Sequence, residues 1–278
     1  MSSVSSFKGL VELRPDLAPR PGMSHVLFDF DGTLSLIREG WPEVMAPMFA
    51  EMLPRVQGES DTDVHRLLYD DIMRLNGKQT IYQMIQFAER VQERGGESRD
   101  PLWYKTEYLR RLDQRISGRI ALLRGGSLRQ DELLVFGARP MLENLLRRGL
   151  TLYLASGTDV AYVTAEAEWL DIARYFGPHI YGAVDDYRLF SKRMVIERIL
   201  RENRIAGDRL LAFGDGYVEI EDTKRVGGLA VAVASDEANN GSGKMDEWKR
   251  RRLLGVGADV AIPDFRDGEA LLEILFGR

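Results

Sequence analysis

The sequence predicts an α/β protein, in which helices cover both faces of a parallel sheet and a helical segment is inserted after the first strand. Two observations support this fold class. Short apolar runs alternate with helical patterns over residues 138–278, and such continuous apolar strands are typical of parallel sheets buried on both faces. Over residues 37–137, by contrast, helical periodicity prevails and no strand pattern is visible.

The elements follow in order along the chain. Residues 1–22 are expected to be a loosely ordered lead-in, because Ser and Pro dominate them. The first strand is expected over residues 25–30, which are apolar except for His25 and Asp29. Further strands are expected at 150–155, 209–214, 228–234 and 258–263, and helices at 140–149, 159–176 and 192–203. The predicted catalytic core is therefore 23–36 together with 138–278.

The inserted segment, residues 37–137, is predicted to be a separate all-helical domain. In the stretch 80–96, Ile81, Ile85, Ala88 and Val91 recur at helical spacing, and Gly95 and Gly96 end the run. A second helical run begins at Pro101, a residue suited to a first helical turn, and stops at another glycine pair, 125–126.

Composition excludes several classes of protein and site. The chain has 278 residues, of which 44% are hydrophobic and 29% charged, and its net charge is −5. We therefore expect no nucleic-acid partner and no membrane partner. The absence of cysteine excludes disulfides, thiolate metal sites and cysteine nucleophiles, and it weakly favours the cytoplasm. Neither a signal-peptide pattern nor an apolar run long enough to span a membrane is visible.

Two aspartates end the first strand. Asp29 and Asp31 share strand parity, so both side chains are expected on one side, and Gly32 permits a sharp turn directly after them. Two neighbouring carboxylates repel each other, and a bound divalent cation with oxygen ligands would remove that penalty. The alternative is an ordinary strand end, in which Asp31 and Gly32 only make the turn.

The segment VLFDFDGTLS resembles the first motif of the haloacid dehalogenase-like hydrolase superfamily. Three further motifs of that family have counterparts in the same order along the chain: Ser156 after a strand, Lys192 at a helix start and Asp215 after another strand. Each counterpart alone also suits a turn or a solvated helix end. The resemblance covers residues 24–34 and 138–275 and implies a Rossmann-like core with a helical cap over 37–137.

The resemblance also implies a role for each residue of these motifs. Asp29 would be the nucleophile that forms an aspartyl-phosphate, and Asp31 the general acid and base. Because dehalogenases of this superfamily lack an acid/base aspartate two residues after the nucleophile, Asp31 favours phosphoryl transfer. The implied phosphate-binding residues are Thr33, Ser156, Gly157 and Lys192. The implied Mg²⁺ ligands are Asp29, Asp31, Asp215 and Glu219, and Glu221 and Asp222 are nearby substitutes for Glu219.

For some charged residues, the sequence is compatible with more than one role. Arg38 and Glu39, which follow the first motif, could equally line the mouth of the site or be solvated loop charges. Lys78 is interpreted as a helix-start residue or a substrate contact, rather than as a Schiff-base lysine like that of phosphonate-cleaving relatives. The run of basic residues at 249–252 is interpreted as a solvated helix face.

The resulting prediction is a Mg²⁺-dependent phosphatase of the phosphoglycolate phosphatase or β-phosphoglucomutase-like type. Its expected partner is a small phosphorylated metabolite such as a sugar phosphate. Two alternatives stay open: a phosphomutase, which shares all four motifs, and a non-catalytic ligand-binding module on the same fold. The sequence does not predict the oligomeric state.

Overall fold

The structure, a computed structural model, describes residues 5–7 and 11–277 of the chain. In this part of the chain, eight strands form one sheet in the order β1-β2-β8-β7-β6-β3-β4-β5. The strands are β1 (Ser5–Phe7), β2 (Val11–Leu13), β3 (His25–Phe28), β4 (Thr151–Asp159), β5 (Ile180–Ala183), β6 (Leu210–Gly214), β7 (Leu229–Val233) and β8 (Val260–Ile262). The predicted α/β class is confirmed.

Strands β3 to β8 pair in parallel with one another, and the first strand of the core lies near the middle of the sheet. Strand β3 pairs with β4 on one side and with β6 on the other. The strand order reverses between β3 and β6, and the crevice at the carboxyl ends of strands at such a point is where open α/β sheets bind their ligands. The first and fourth motifs follow β3 and β6, and the second lies at the end of the adjacent β4, so the topology places all three at one crevice.

Helices pack on both faces of this sheet, because alternate strand residues point to opposite sides. Leu27 packs with one core cluster, which includes Ile196 and Ile199, whereas Phe28 packs with the main cluster on the other face. There the rings of Phe28 and Phe213 stack with centroids 4.9 Å apart. The helices outside residues 37–137 are α5 (Ala138–Arg147), α6 (Val160–Trp169), α7 (Ala173–Phe176), α8 (Lys192–Asn203), α9 (Tyr217–Arg225), α10 (Glu247–Gly255) and α11 (Gly268–Phe276).

Four helices form the inserted segment, which we call the cap. They are α1 (Pro42–Met52), α2 (Asp61–Arg74), α3 (Thr80–Glu93) and α4 (Pro101–Arg124). The rings of Phe49 and Phe87 stack 4.0 Å apart at its centre, and Tyr104 packs edge-on against Phe87 at 5.0 Å. No helix of the described residues is long and apolar enough to cross a membrane.

Two chain segments connect the cap to the sheet, and they run side by side as a ribbon. The Leu36 amide donates to the Leu133 carbonyl at 2.9 Å, and the Val135 amide donates to the Leu34 carbonyl at 2.9 Å. Between these two bonds, Ser35 and Leu134 form an antiparallel bridge. We call residues 34–36 and 133–135 the linker ribbon.

Several local features differ from the expectations. The described part of the lead-in, residues 1–22, contains β1 and β2, and Leu13 of β2 pairs antiparallel with Val260 of β8, whereas residues 1–4 and 8–10 of the lead-in lie outside the described residues. Strand β5 was not predicted. The helix expected over 159–176 is divided into α6 and α7, because Asp171 adopts a left-handed conformation with φ of 54° between them.

Candidate active site

A cavity of about 70 Å³ lies between the carboxyl ends of the strands and the cap. A volume of this size holds only a few waters, well below the several hundred Å³ of a drug-sized ligand pocket. Eight residues singled out in the sequence line it: Asp29, Asp31, Arg38, Lys78, Ser156, Gly157, Lys192 and Asp215. The cap contributes Asn76, Gly77, Thr80, Gln83 and Tyr108, and Trp41 lies just before α1. Thr33, Glu39 and Glu219 are not among the lining residues.

Asp29 follows β3 directly, and its carboxylate is held at both oxygens. Oδ1 accepts a hydrogen bond from the Phe30 amide at 2.8 Å, and Oδ2 lies 2.7 Å from Lys192 Nζ. Burial raises the pKa of Asp29 well above its usual range, although the Lys192 ammonium acts in the opposite direction. A buried carboxylate with a fixed orientation and a nearby cation suits nucleophilic attack.

Asp31 presents one carboxylate oxygen to hydroxyl groups and leaves the other free. Oδ2 accepts hydrogen bonds from Thr158 Oγ1 at 2.8 Å and from Ser156 Oγ at 3.2 Å. The buried Oδ1 has no hydrogen-bond partner among the described residues, and Arg38 Nε lies 3.8 Å from it. One oxygen of Asp31 is therefore available to give or take a proton.

The second motif lies at the end of β4. The Ser156 hydroxyl is buried and accepts a hydrogen bond from the Thr158 amide at 3.0 Å, which fixes the turn. A Cβ on Gly157 would lie 2.4 Å from the Lys78 carbonyl oxygen, so only a glycine lets the cap loop pack directly against the backbone here. Hydroxyls and loop amides at such a strand end are suitable donors to a phosphoryl group.

Lys192 is the first residue of α8, where the Ser191 hydroxyl caps the helix by accepting from the Met194 amide. Its Nζ atom is buried between two carboxylates, 2.7 Å from Asp29 Oδ2 and 2.8 Å from Glu219 Oε2. Burial acts to lower the pKa of Lys192, but these two carboxylates raise it above its usual range. Lys192 therefore favours its charged form beside the Asp29 carboxylate.

Asp215 follows β6 and is buried. Its Oδ1 accepts from Thr33 Oγ1 at 3.3 Å, and its Oδ2 lies 3.0 Å from Lys249 Nζ. Thr33 thus contacts a carboxylate rather than the cavity. The ammonium of Lys249 is buried as well, so its interpretation as part of a solvated helix face was wrong.

The structure favours Glu219 over its two neighbours as the second acidic group of the fourth motif. Glu219 is buried in the first turn of α9, where its Oε1 accepts from the Gly216 amide at 2.7 Å. Burial raises the pKa of Glu219. Asp222 instead pairs with Arg225 at 2.6 Å, and Glu221 is not part of the acidic cluster.

The donor set fits a divalent cation. One carboxylate oxygen from each of Asp29, Asp215 and Glu219 lies within 4.8 Å of the others, and all three residues are buried. Hard oxygen ligands of this kind are those that Mg²⁺ prefers, and buried like charges need compensation. The cavity and its surroundings hold more carboxylates than cations: Asp29, Asp31, Glu166, Asp215, Glu219 and Glu237 against Arg38, Lys78, Lys192 and Lys249.

Arg38 and Glu39 have different surroundings. Arg38 is buried at the cavity, where its guanidinium binds Glu166 at 2.7 and 3.0 Å. Burial raises the pKa of Glu166 to about 7 despite the opposing effect of Arg38. Glu39 lies away from the cavity, 2.9 Å from Arg119 of α4. The same Arg119 also donates to the carbonyls of residues 36 and 37, next to the linker ribbon.

The cap is closed onto the core along a seam of backbone contacts. A Cβ on Gly77, whose φ is +92°, would lie 2.9 Å from the Gly216 Cα atom. Gln79 Nε2 donates to the Phe190 carbonyl at 2.7 Å. Lys78, in the same loop, is exposed, and within the described residues it has no carboxylate at salt-bridge distance. Its ammonium lies 5.5 Å from the ring centroid of Tyr82.

Sequence reasoning missed Thr158, Glu166 and Lys249. Thr158 follows the second motif directly, so its hydroxyl could have been included with Ser156. Glu166 and Lys249 gave no local signal, because each occurs in a charged helical stretch that resembles a solvated face.

Comparisons with known proteins agree with this geometry. A family model described as haloacid dehalogenase-like hydrolase matches residues 23–227. The fold is similar to that of a predicted phosphatase from Clostridium acetobutylicum, with 17% identity and a TM-score of 0.58 over 90% of this chain and 99% of that chain. A predicted phosphoglycolate phosphatase from Haemophilus somnus gives 14% identity and a TM-score of 0.59 over 90% and 98% of the two chains.

A putative β-phosphoglucomutase from Thermotoga maritima gives 20% identity and a TM-score of 0.50 over 91% of this chain and 97% of that chain. No curated protein sequence matches the chain significantly. At these identities the solved structures establish the fold alone, whereas the family model spans most of the chain. The chain therefore belongs to the haloacid dehalogenase-like hydrolase family.

Proposed function

We propose that the protein is a Mg²⁺-dependent phosphatase that hydrolyses a small phosphomonoester through an aspartyl-phosphate on Asp29. One observation carries the proposal. In the same cavity, the carboxylate of Asp29 is paired with Lys192 at 2.7 Å, and Asp31 is held by two hydroxyls while its second oxygen has no hydrogen-bond partner among the described residues. A nucleophile, a cation and a proton-transfer group are the parts that phosphoryl transfer requires.

In the first step, an Asp29 oxygen attacks phosphorus and the bond to the leaving-group oxygen breaks. Asp31, protonated on its free Oδ1, gives its proton to that oxygen. Lys192 Nζ, Ser156 Oγ and the Gly157 amide hold the phosphoryl oxygens, where fixed donors stabilise the charge that develops. The products of this step are the dephosphorylated alcohol and the aspartyl-phosphate.

In the second step, Asp31 acts as a base. It takes a proton from a water molecule, which attacks phosphorus and releases inorganic phosphate, and the Asp29 carboxylate is regenerated. Asp29, Asp215 and Glu219, with Asp31, would hold the cation. When bound, Mg²⁺ supplies positive charge that screens the carboxylates from the phosphate.

The size and lining of the cavity support a small substrate. A cavity of about 70 Å³ suits a phosphoryl group and a few further atoms, so a phosphoprotein is a poor fit. The cap side offers an ammonium, amides and hydroxyls to the leaving group, from Asn76, Lys78, Thr80 and Gln83. A polyhydroxylated or anionic leaving group such as a sugar matches these donors.

The test is phosphate release from about a hundred phosphorylated metabolites, ranked by kcat/KM, with Mg²⁺ and with EDTA. We expect one substrate class to be hydrolysed efficiently, EDTA to abolish release, and Asp29→Asn to reduce kcat by at least about 10⁴-fold. The control is Asp16→Asn, because the side chain of Asp16 is 77% exposed and lies outside the cavity.

Two results would contradict the proposal. Full activity in a folded Asp29→Asn variant would contradict the proposed role of Asp29 as the nucleophile. Isomerised sugar phosphate without phosphate release would identify a mutase, in which the phosphoryl group returns to the substrate rather than to water.

A further inference from the structure

Lys249 is a second buried lysine behind the cavity. It lies in the first turn of α10, where Asp246 caps the helix by accepting from the Lys249 amide at 2.9 Å. Its Nζ atom contacts Asp215 Oδ2 at 3.0 Å, Glu237 Oε1 at 2.5 Å and Ser235 Oγ at 3.1 Å. An ammonium has three donors, so all its hydrogen-bonding capacity is used on these partners.

The same network reaches the turn of the first motif. Ser235 Oγ donates to the Gly32 carbonyl at 2.5 Å. A Cβ on Gly32, which has a φ of +73°, would lie 2.3 Å from Asp215 Oδ2 and 2.8 Å from Glu237 Oε1. Lys249 and its three partners therefore pack directly against the turn that follows Asp31.

The charges around Asp215 are compensated from within the protein. Lys249 lies between Asp215 and Glu237, and its side chain is only 8% exposed. Lys192 occupies the equivalent place between Asp29 and Glu219. A divalent cation at these carboxylates would therefore meet a positive charge behind Asp215 and a further negative charge on Glu237.

We propose that Lys249 is a positioning residue of the cation site, and that its pairing with Glu237 sets how tightly the site binds a divalent cation. This inference rests on the cation site of the proposed function. Lys249 orients Asp215 and repels the cation, whereas Glu237 offsets that repulsion.

Charge changes at the two positions should therefore act in opposite directions. Lys249→Met removes a positive charge next to Asp215 and should tighten Mg²⁺ binding by at least about fivefold. Glu237→Gln removes the negative charge that offsets Lys249 and should weaken binding by at least about fivefold. The double variant removes both charges and should bind Mg²⁺ within about twofold of the unchanged protein.

The experiment is calorimetric titration of the metal-free full chain with MgCl₂, with every chain at the same pH of about 8, because burial raises the pKa of Asp29, Glu219 and Glu237 and their charge therefore depends on pH. The chains compared are the unchanged protein, the two single variants, the double variant and Lys244→Met. The last is the control for surface charge, because Lys244 is exposed on the segment just before α10. Circular dichroism checks that each variant is folded. If Lys249→Met does not fold, the near-isosteric Glu237→Gln variant still tests the sign of the effect.

The expected result is opposite shifts in the two single variants, near-restoration in the double variant and no change in the control. Shifts in the same direction, no shift, or additive weakening in the double variant would overturn the inference and indicate a purely structural role. If the unchanged protein binds Mg²⁺ and no variant changes the affinity, the inference is wrong but the proposed function still stands. No binding by the unchanged protein contradicts the proposed cation site and the inference together.

Discussion

The two walls of the cavity are built in different ways. On the core wall, Asp29, Lys192 and Asp215 are buried, and each is fixed by at least two polar contacts. On the cap wall, the one ammonium among the described lining residues is that of Lys78, and its side chain is exposed. Within the described residues this ammonium contacts the aromatic ring of Tyr82 and no carboxylate.

With this difference, the core wall would carry the chemical step and the cap wall would select the substrate. The core wall orients charged groups before a substrate arrives, which is the arrangement that stabilises a charged transition state. The cap wall offers donors that can adapt to the leaving group. We therefore expect core substitutions to reduce the rate for every substrate and cap substitutions to change which substrate is preferred.

The largest effect should come from Lys192→Met. Removal of the ammonium beside Asp29 leaves two buried carboxylates and the phosphoryl group without their shared cation, so kcat should fall by about 10³-fold for every substrate at saturating Mg²⁺. The neighbouring Arg193→Met is the matched control, because its side chain is 58% exposed and pairs only with Glu197. Equal losses in the two variants would remove the distinction between the walls.

A smaller effect is expected from Gly77→Ala in the cap loop. The new Cβ would lie 2.9 Å from the Gly216 Cα atom and would hold the cap away from the core, so kcat/KM should fall by about 10- to 100-fold. Gly95→Ala is the control, since Gly95 also has a positive φ but its Cβ would meet nothing within 4 Å. Comparable losses in both would indicate backbone strain rather than cap seating.

Lys78→Met tests selection on the cap wall. We expect KM to rise about 5- to 10-fold for substrates with an anionic leaving group, and kcat to change little, because the ammonium binds ground and transition states alike. Steady-state kinetics across the substrate panel measures both quantities. A uniform collapse of kcat would instead place Lys78 in the chemistry and contradict the comparison.

The smallest effect concerns Glu166, which binds Arg38 just beyond the linker ribbon. Burial raises the pKa of Glu166 to about 7, so the folded protein keeps this proton to a higher pH than the unfolded chain does. The protonated Glu166 therefore adds to the free energy of unfolding. This contribution is fully present below the ordinary pKa of glutamate and is lost as the pH rises through about 7.

Glu166→Gln cannot ionise and should not show this loss. Its Tm should therefore rise relative to that of the unchanged protein by about 2–5 °C between pH 5 and pH 8, measured by calorimetry. Parallel curves for the two proteins would show that Glu166 is already ionised at pH 5.

The sequence predicts the core wall better than the cap wall for a physical reason. Asp29, Ser156 and Asp215 each follow an apolar strand, so parallel topology alone brings them together at one edge. Lys192 is recognisable because it begins a helix at the expected place in the motif order. The contacts of Lys78 and Glu166 depend on how the cap docks, which no local pattern encodes.

Lys249 marks the limit of local patterns most clearly. In the sequence it is one of four consecutive basic residues, and helical periodicity cannot show which of them faces inward. Strand β2 was missed for a similar reason, since its three residues form a strand by pairing with β1 and β8, and no local pattern shows these partners.

The linker ribbon limits how the cap can move relative to the core. Two hydrogen-bonded segments restrict the cap to swinging and twisting about one line, whereas a single flexible connection would let it tumble. The cap wall therefore stays near the phosphoryl site at a high effective concentration, and each closure brings back the same donors in the same orientation. Much of the entropy needed to assemble the complete pocket is thus lost once, when the chain folds, and not again in every catalytic cycle.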